Sequence, residues 1–150
     1  MSERIRKSLV VQGTTVVEQA AWAAELESKH QRLVEWMRAQ KLGGVLLRRS
    51  ENLAWVTGGA VEVRVLTPSE TGVASVLVTA EGKRYYFTTE NEAPRLHDEE
   101  FGALDFEPVT FPWWGDDTAT TAARLAGGTL GWEVPCEGAT RVRLYPLRAA

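Results

Sequence analysis

The feature that most constrains this chain is an apolar run, Gly44-Val45-Leu46-Leu47, that leads almost directly into Ser50-Glu51-Asn52-Leu53-Ala54-Trp55-Val56-Thr57-Gly58-Gly59. The run reads as a buried strand. Ser50 is a favoured helix N-cap residue, and Leu53, Val56 and the Trp55 ring can turn one helical face inward. Gly58-Gly59 then stops the helix, because glycine takes the positive φ that a helix C-terminus often needs. The prediction is a strand, a tight turn, one or two helical turns and a glycine exit. Open α/β sheets bind ligands at the C-terminal ends of such strands, whereas a core tryptophan beside a glycine cap accounts for the same residues without any ligand.

Around this stretch the hydrophobic pattern alternates between helix and strand periods. Residues 1–15 are polar and read as a flexible N-terminal arm with a short extended piece at Ser8-Leu9-Val10-Val11. From Val16 to Gln40, Trp22, Leu26, Leu33 and Met37 fall on one helical face, with His30 beside it as a structural residue; Lys41-Leu42-Gly43-Gly44 ends the helix. Beyond the Trp55 turn, Val61, Val63 and Val65 alternate with Glu62 and Arg64, the pattern of a half-buried strand over Val61 to Leu66. Val73 to Thr79 is nearly continuous in apolar character and is expected to be central. Ala80-Glu81-Gly82-Lys83 makes a hairpin into Arg84 to Thr88.

A second helix is expected over Thr89 to Leu104, with Pro94 tolerated only in its first turn. Its His97 and Glu100 lack a third ligand, so an ion-paired, solvated face is the better account. Phe106 to Phe111 reads as an edge strand, because Pro108 cannot donate to a ladder. Asp116-Asp117-Thr118 opens a third helix that Gly127-Gly128 closes, and Thr129 to Val134 forms a last strand. Between these elements, Pro112-Trp113-Trp114-Gly115 puts two indoles on a loop. They are either an interface or rings folded back over the sheet edge. The element order predicts an α/β layer structure with a mixed sheet.

Composition excludes several functions. The 150 residues suit one domain, and a net charge of -3 provides no basic field for a nucleic-acid backbone. Arg141, Arg143 and Arg148 cluster near the end, but a short basic tail is ordinarily solvated. Cys136 is the single cysteine, so no intrachain disulfide forms and a reducing, cytoplasmic setting fits. No apolar run is long enough to cross a membrane, and the charged N-terminus lacks a signal-peptide core. No glycine-rich phosphate loop, GxSxG elbow or convergent metal-ligand set is legible. The inner strands carry no carboxylate of the kind a ribonuclease-H-like nuclease needs for magnesium.

Taken together, Gly44-Val45-Leu46-Leu47, Glu51 to Gly59, Val76-Leu77-Val78-Thr79 with Gly82, and Glu90-Asn91-Glu92-Ala93-Pro94-Arg95-Leu96 with Glu99-Glu100 resemble the N-terminal domain of the creatinase, prolidase and aminopeptidase P family. The resemblance runs from about Leu26 to Val134. It implies a three-layer α/β/α sandwich with a mixed sheet and a ribonuclease H-like motif, spanning 16–135. Residues 136–150 would then be a tail or truncated linker to an absent C-terminal pita-bread catalytic domain. In the family that second domain holds two divalent metal ions (Mn, Co or Zn) through two Asp, one His and two Glu, and no cofactor is expected in this chain.

The resemblance further implies a non-catalytic domain of an Xaa-Pro dipeptidase or aminopeptidase P, serving a homodimer or homo-oligomer and shaping the active-site mouth. No nucleic-acid or membrane partner is expected. Asn52, Trp55, Thr57, Gly58, Gly59 and Arg64 are the candidate interface or active-site-mouth residues, with Trp113 and Trp114 added on exposure alone. Two other readings stand beside this one: a stand-alone α/β binding module with a pocket near Trp55 and Arg64, and a purely structural oligomerisation domain.

Overall fold

The structure, a computed structural model, describes residues 16–65, 70–133, 139–144 and 147. The expected N-terminal arm and Cys136 lie outside the described residues. Six strands form one sheet: β1 (Gly44–Arg49), β2 (Thr71–Thr79), β3 (Arg84–Thr89), β4 (Glu107–Phe111), β5 (Leu130–Trp132) and β6 (Thr140–Arg141), in the order β4-β3-β2-β1-β5-β6. β2 pairs antiparallel with β1 and β3, and the other three pairings are parallel. Every strand except β2 therefore ends on the same edge of the sheet. The sheet is mixed, with the two most apolar strands at its centre.

The strand period assigns alternate residues to two cores. Val45 and Leu47 of β1, Val76 and Val78 of β2 and Tyr86 of β3 face one way. There they meet Leu26, Leu33 and Met37 of helix α1 (Val16–Ala39) and Leu53 and Val56 of α2 (Ser50–Val56). Leu46, Leu77, Tyr85 and Phe87 face the other way and pack with Ala122 of α4 (Thr118–Ala126). Helices thus cover both faces, giving the α/β/α sandwich.

Three local expectations are corrected. The second helix does not begin at Thr89, because Thr89 completes β3 opposite Phe111 of β4. A short α3 (Ala93–Arg95), with Pro94 in its first turn, instead widens into a π-helical turn over Leu96–Phe101. The wider turn lets Leu96 and Phe101 both reach the core, where Phe101 stacks on Tyr86 with ring centroids 4.1 Å apart. Val61 to Val65 do not form a strand; Leu66 lies outside the described residues. Val61 and Val63 are buried and Val73 N donates to the Val63 carbonyl at 2.9 Å, but Val65 stands 66% exposed. Ser50 does not cap α2: the chain enters from Arg49, and the Ser50 hydroxyl donates to the Glu70 carbonyl at 3.1 Å.

Beyond Pro135, where Val142, Leu144 and Leu147 are the residues of core-forming type, Val142 and Leu144 are buried and Leu147 is half-buried against the same core, but β6 was not legible. Two ladder residues leave no periodic signal.

Candidate functional site

The candidate residues at the carboxyl end of β1 sit on α2 and its exit turn. Gly58 and Gly59 take φ of +64° and +78°, the left-handed turn that the paired glycines predict. At Gly58 a side chain is also excluded by packing: a Cβ there would fall 2.8–2.9 Å from the Trp22 indole. The same indole donates Nε1–H to the Gly58 carbonyl at 2.8 Å, tying the end of α2 to α1. Thr57 is fully buried and its hydroxyl donates to the Leu53 carbonyl at 2.7 Å, closing the last turn. Trp55 is half-buried against the α1–α2 core.

His30 supplies a second tie. Its Nε2 lies 2.6 Å from the Val56 carbonyl, so the proton sits on Nε2 and the neutral ring leaves Nδ1 as an acceptor. Burial, helped by the nearby Arg84 charge, pulls its pKa from 6.5 down to about 4. The expectation of a structural histidine fits this position, 2% exposed and edge-on to Phe106.

Asn52 belongs to a polar cluster that sequence reasoning missed. Its Nδ2 donates to Glu133 Oε2 at 2.6 Å, while Glu133 Oε1 accepts the backbone N–H groups of Arg48 and Arg49 at 2.5 and 2.8 Å. Glu133, just past β5, thereby holds the end of β1 and the start of α2. Burial pushes its carboxyl above the usual range, opposed by the hydrogen bonds it accepts. The Asn52 Oδ1 atom is buried without a partner among the described residues. Only an acidic residue at a strand end advertised this cluster, and its partners lie more than eighty residues away in sequence.

The remaining candidates stand apart from this turn. Arg64 is exposed and occupied by its neighbour: Nε and Nη2 donate to the Glu62 carboxylate at 2.9 and 2.6 Å, which holds that carboxyl at about 2. Trp113 and Trp114 are 73% and 72% exposed, in edge-to-face contact with centroids 5.5 Å apart. Neither ring is folded back and buried over the sheet edge. Trp113 lies on the α4 face of the sheet, whereas Trp55 packs on the opposite face.

A two-metal centre needs several converging carboxylate and imidazole ligands. Among the described residues no three of His, Cys, Asp or Glu lie together so as to hold a metal ion. His97 is exposed, and Glu100 instead accepts the Glu62 N–H at 2.9 Å. The described residues do not fit such a centre.

Residues 29–137 match the family model described as the creatinase/prolidase N-terminal domain. The chain belongs to that family. The matched span contains the whole Asn52–Gly59 turn and the Trp113–Trp114 loop. No curated protein matches the chain. Among solved structures, the dipeptidase PepE from Mycobacterium ulcerans aligns with a TM-score of 0.61 at 15% identity, covering 84% of this chain and 36% of that one. A creatinase-N superfamily domain of a dipeptidase from Streptococcus thermophilus aligns at 0.56 and 15% identity, covering 81% of this chain and 96% of that one. The Xaa-Pro dipeptidase from Bacillus anthracis aligns at 0.51 and 16% identity, covering 71% and 26%. This chain thus spans about a quarter to a third of the longer structures and nearly all of the isolated domain. At these identities the likeness is one of fold.

Proposed function

We propose that this creatinase/prolidase N-terminal domain is the non-catalytic part of an Xaa-Pro dipeptidase or aminopeptidase P-type metallopeptidase. Its role is to support a homodimer or homo-oligomer and to shape the mouth of an active site that a C-terminal pita-bread domain carries. In that parent protein two divalent ions (manganese, cobalt or zinc) would belong to the catalytic domain, and the setting would be the cytoplasm. The observation that carries this reading is the family match over 29–137. Support comes from an Xaa-Pro dipeptidase and a dipeptidase whose solved structures share this fold. No helix among the described residues is long and apolar enough to cross a membrane.

The roles within the domain divide by exposure. Asn52 and Thr57 are buried within the turn, Trp55 and Gly58 are half-buried, and Gly59 is exposed. Trp113 and Trp114 offer a large rigid area with few rotamers to freeze, the composition of an interface anchor. Sedimentation velocity on the purified chain tests the assembly role. A dimer or larger species that becomes monomeric in the doubly substituted Trp113→Ala, Trp114→Ala chain is expected. A monomeric native chain at about 100 µM would contradict it.

A further inference from the structure

The shared carboxyl edge of the strands carries a second feature, on the α4 face. Arg48, Thr89, Phe111 and Trp132, each the last or next-to-last residue of β1, β3, β4 and β5, line one cleft of about 460 Å³. The start of β2 and the first turn of α4 close its sides. In open α/β sheets this edge is where ligands sit, because strand ends and the loops after them leave a crevice there. The volume lies within the range of small-molecule sites.

The chemistry of the walls narrows the ligand. Phe87 and Phe111, both buried, give an apolar floor, and the exposed Trp113 stands over it. The Arg48 guanidinium forms no ion pair among the described residues, although Arg49 beside it pairs with Glu70 and Glu51. Trp132 keeps its indole N–H buried without an acceptor among the described residues. The opposite sign is present too: Asp116 lines the same cleft, with one carboxylate oxygen accepting Thr118 N–H at 2.9 Å. A purely anionic ligand would meet that carboxylate, and a purely cationic one would meet Arg48.

We propose that this cleft binds a small zwitterion with an apolar side chain, the chemistry of a free apolar α-amino acid. The carboxylate lies toward Arg48, the ammonium toward Asp116, and the side chain on Phe87 and Phe111 beneath Trp113. This site shares Trp113 with the proposed assembly surface but uses neither the α2 turn nor any residue of another domain, so titration of the native chain tests it apart from the peptidase reading.

The test is a calorimetric titration of the purified chain with L-phenylalanine, run beside hydrocinnamate, which lacks the ammonium, and phenethylamine, which lacks the carboxylate. Saturable one-to-one binding of phenylalanine is expected, with each analogue weaker by about tenfold or more. Arg48→Gln and Asp116→Asn should each weaken phenylalanine by a similar factor at an unchanged thermal midpoint, because asparagine keeps an acceptor for Thr118 N–H. Absence of saturable heat up to about 10 mM phenylalanine would overturn the site. Hydrocinnamate or phenethylamine binding as tightly as phenylalanine would overturn the zwitterion. The analogue comparison needs no variant, so a substitution that impairs folding leaves the proposal testable.

Discussion

On the α1–α2 flank of the sheet, Trp22 gives its indole N–H to Gly58, His30 gives its imidazole N–H to Val56, and Asn52 and two backbone amides converge on Glu133. On the α4 flank, Trp113 and Trp114 lie almost three-quarters exposed, and Trp132 and Arg48 keep donors that no described residue engages as an acceptor or ion-pair partner. The first flank engages these donors internally, which commits the side chains to holding α2 at the end of β1, although the acceptor atoms His30 Nδ1 and Asn52 Oδ1 and the Tyr86 hydroxyl stay buried without a partner among the described residues. The second leaves recognition groups unspent. Burying polar groups is tolerated where partners exist, and unsatisfied groups beside a cleft are where a ligand or partner finds free energy to gain. Substitutions on the first flank should therefore register in stability, and those on the second in binding or assembly.

The largest effect is expected at Glu133. Glu133→Ala strips the acceptor from Arg48 N–H, Arg49 N–H and Asn52 Nδ2, which should cost about 3–5 kcal/mol in urea unfolding, with each orphaned donor contributing about 1–3 kcal/mol. A loss within experimental error would show that the cluster does not tie β1 to α2.

His30 comes next, with a pH signature. Its pKa is about 4 in the fold against 6.5 for the unfolded chain, so the unfolded state takes up a proton first as pH falls. The stability tied to neutral His30 is full above the unfolded value and is lost as pH falls toward about 4. Between about pH 7 and pH 5 this amounts to about 2 kcal/mol. Urea midpoints should fall more steeply with acid in the native chain than in His30→Gln, whose amide can still donate to Val56. Parallel slopes in the two chains would remove His30 from the account.

Gly58→Ala should cost about 1–2 kcal/mol for the positive φ, with the Trp22 contact adding to it. Gly59→Ala separates the two causes, because open space surrounds that position. The smallest effect belongs to the other flank: Trp114→Ala should leave stability within about 0.5 kcal/mol, since its ring is exposed. A larger loss would mean that the exposed pair supports the fold after all.

Much of this architecture was legible because its causes are local. The apolar stretches that became β1 and β2, the Gly82 hairpin and the Gly58-Gly59 exit each follow from residue type and period within a few positions. The errors occur where distant partners decide. Val61 and Val63 alternate like a strand, yet they pack without joining the sheet. Leu96 and Phe101 are spaced wrongly for one face of an α-helix, and only the position of Tyr86 explains the π turn that brings both inward. At the candidate site, glycine conformation was readable from sequence, whereas the Glu133 cluster depends on partners from the far end of the chain. The inward orientation of Asn52 and Thr57 was hidden for the same reason, since a motif fixes the spacing of its residues and not the direction in which each side chain faces.

Hydrolysis of an Xaa-Pro dipeptide by the purified 150-residue chain, with manganese added and an active prolidase assayed alongside as control, tests the central claim most directly. The account predicts product formation no faster than with manganese in buffer alone. Manganese-dependent turnover that follows the concentration of this chain would contradict it.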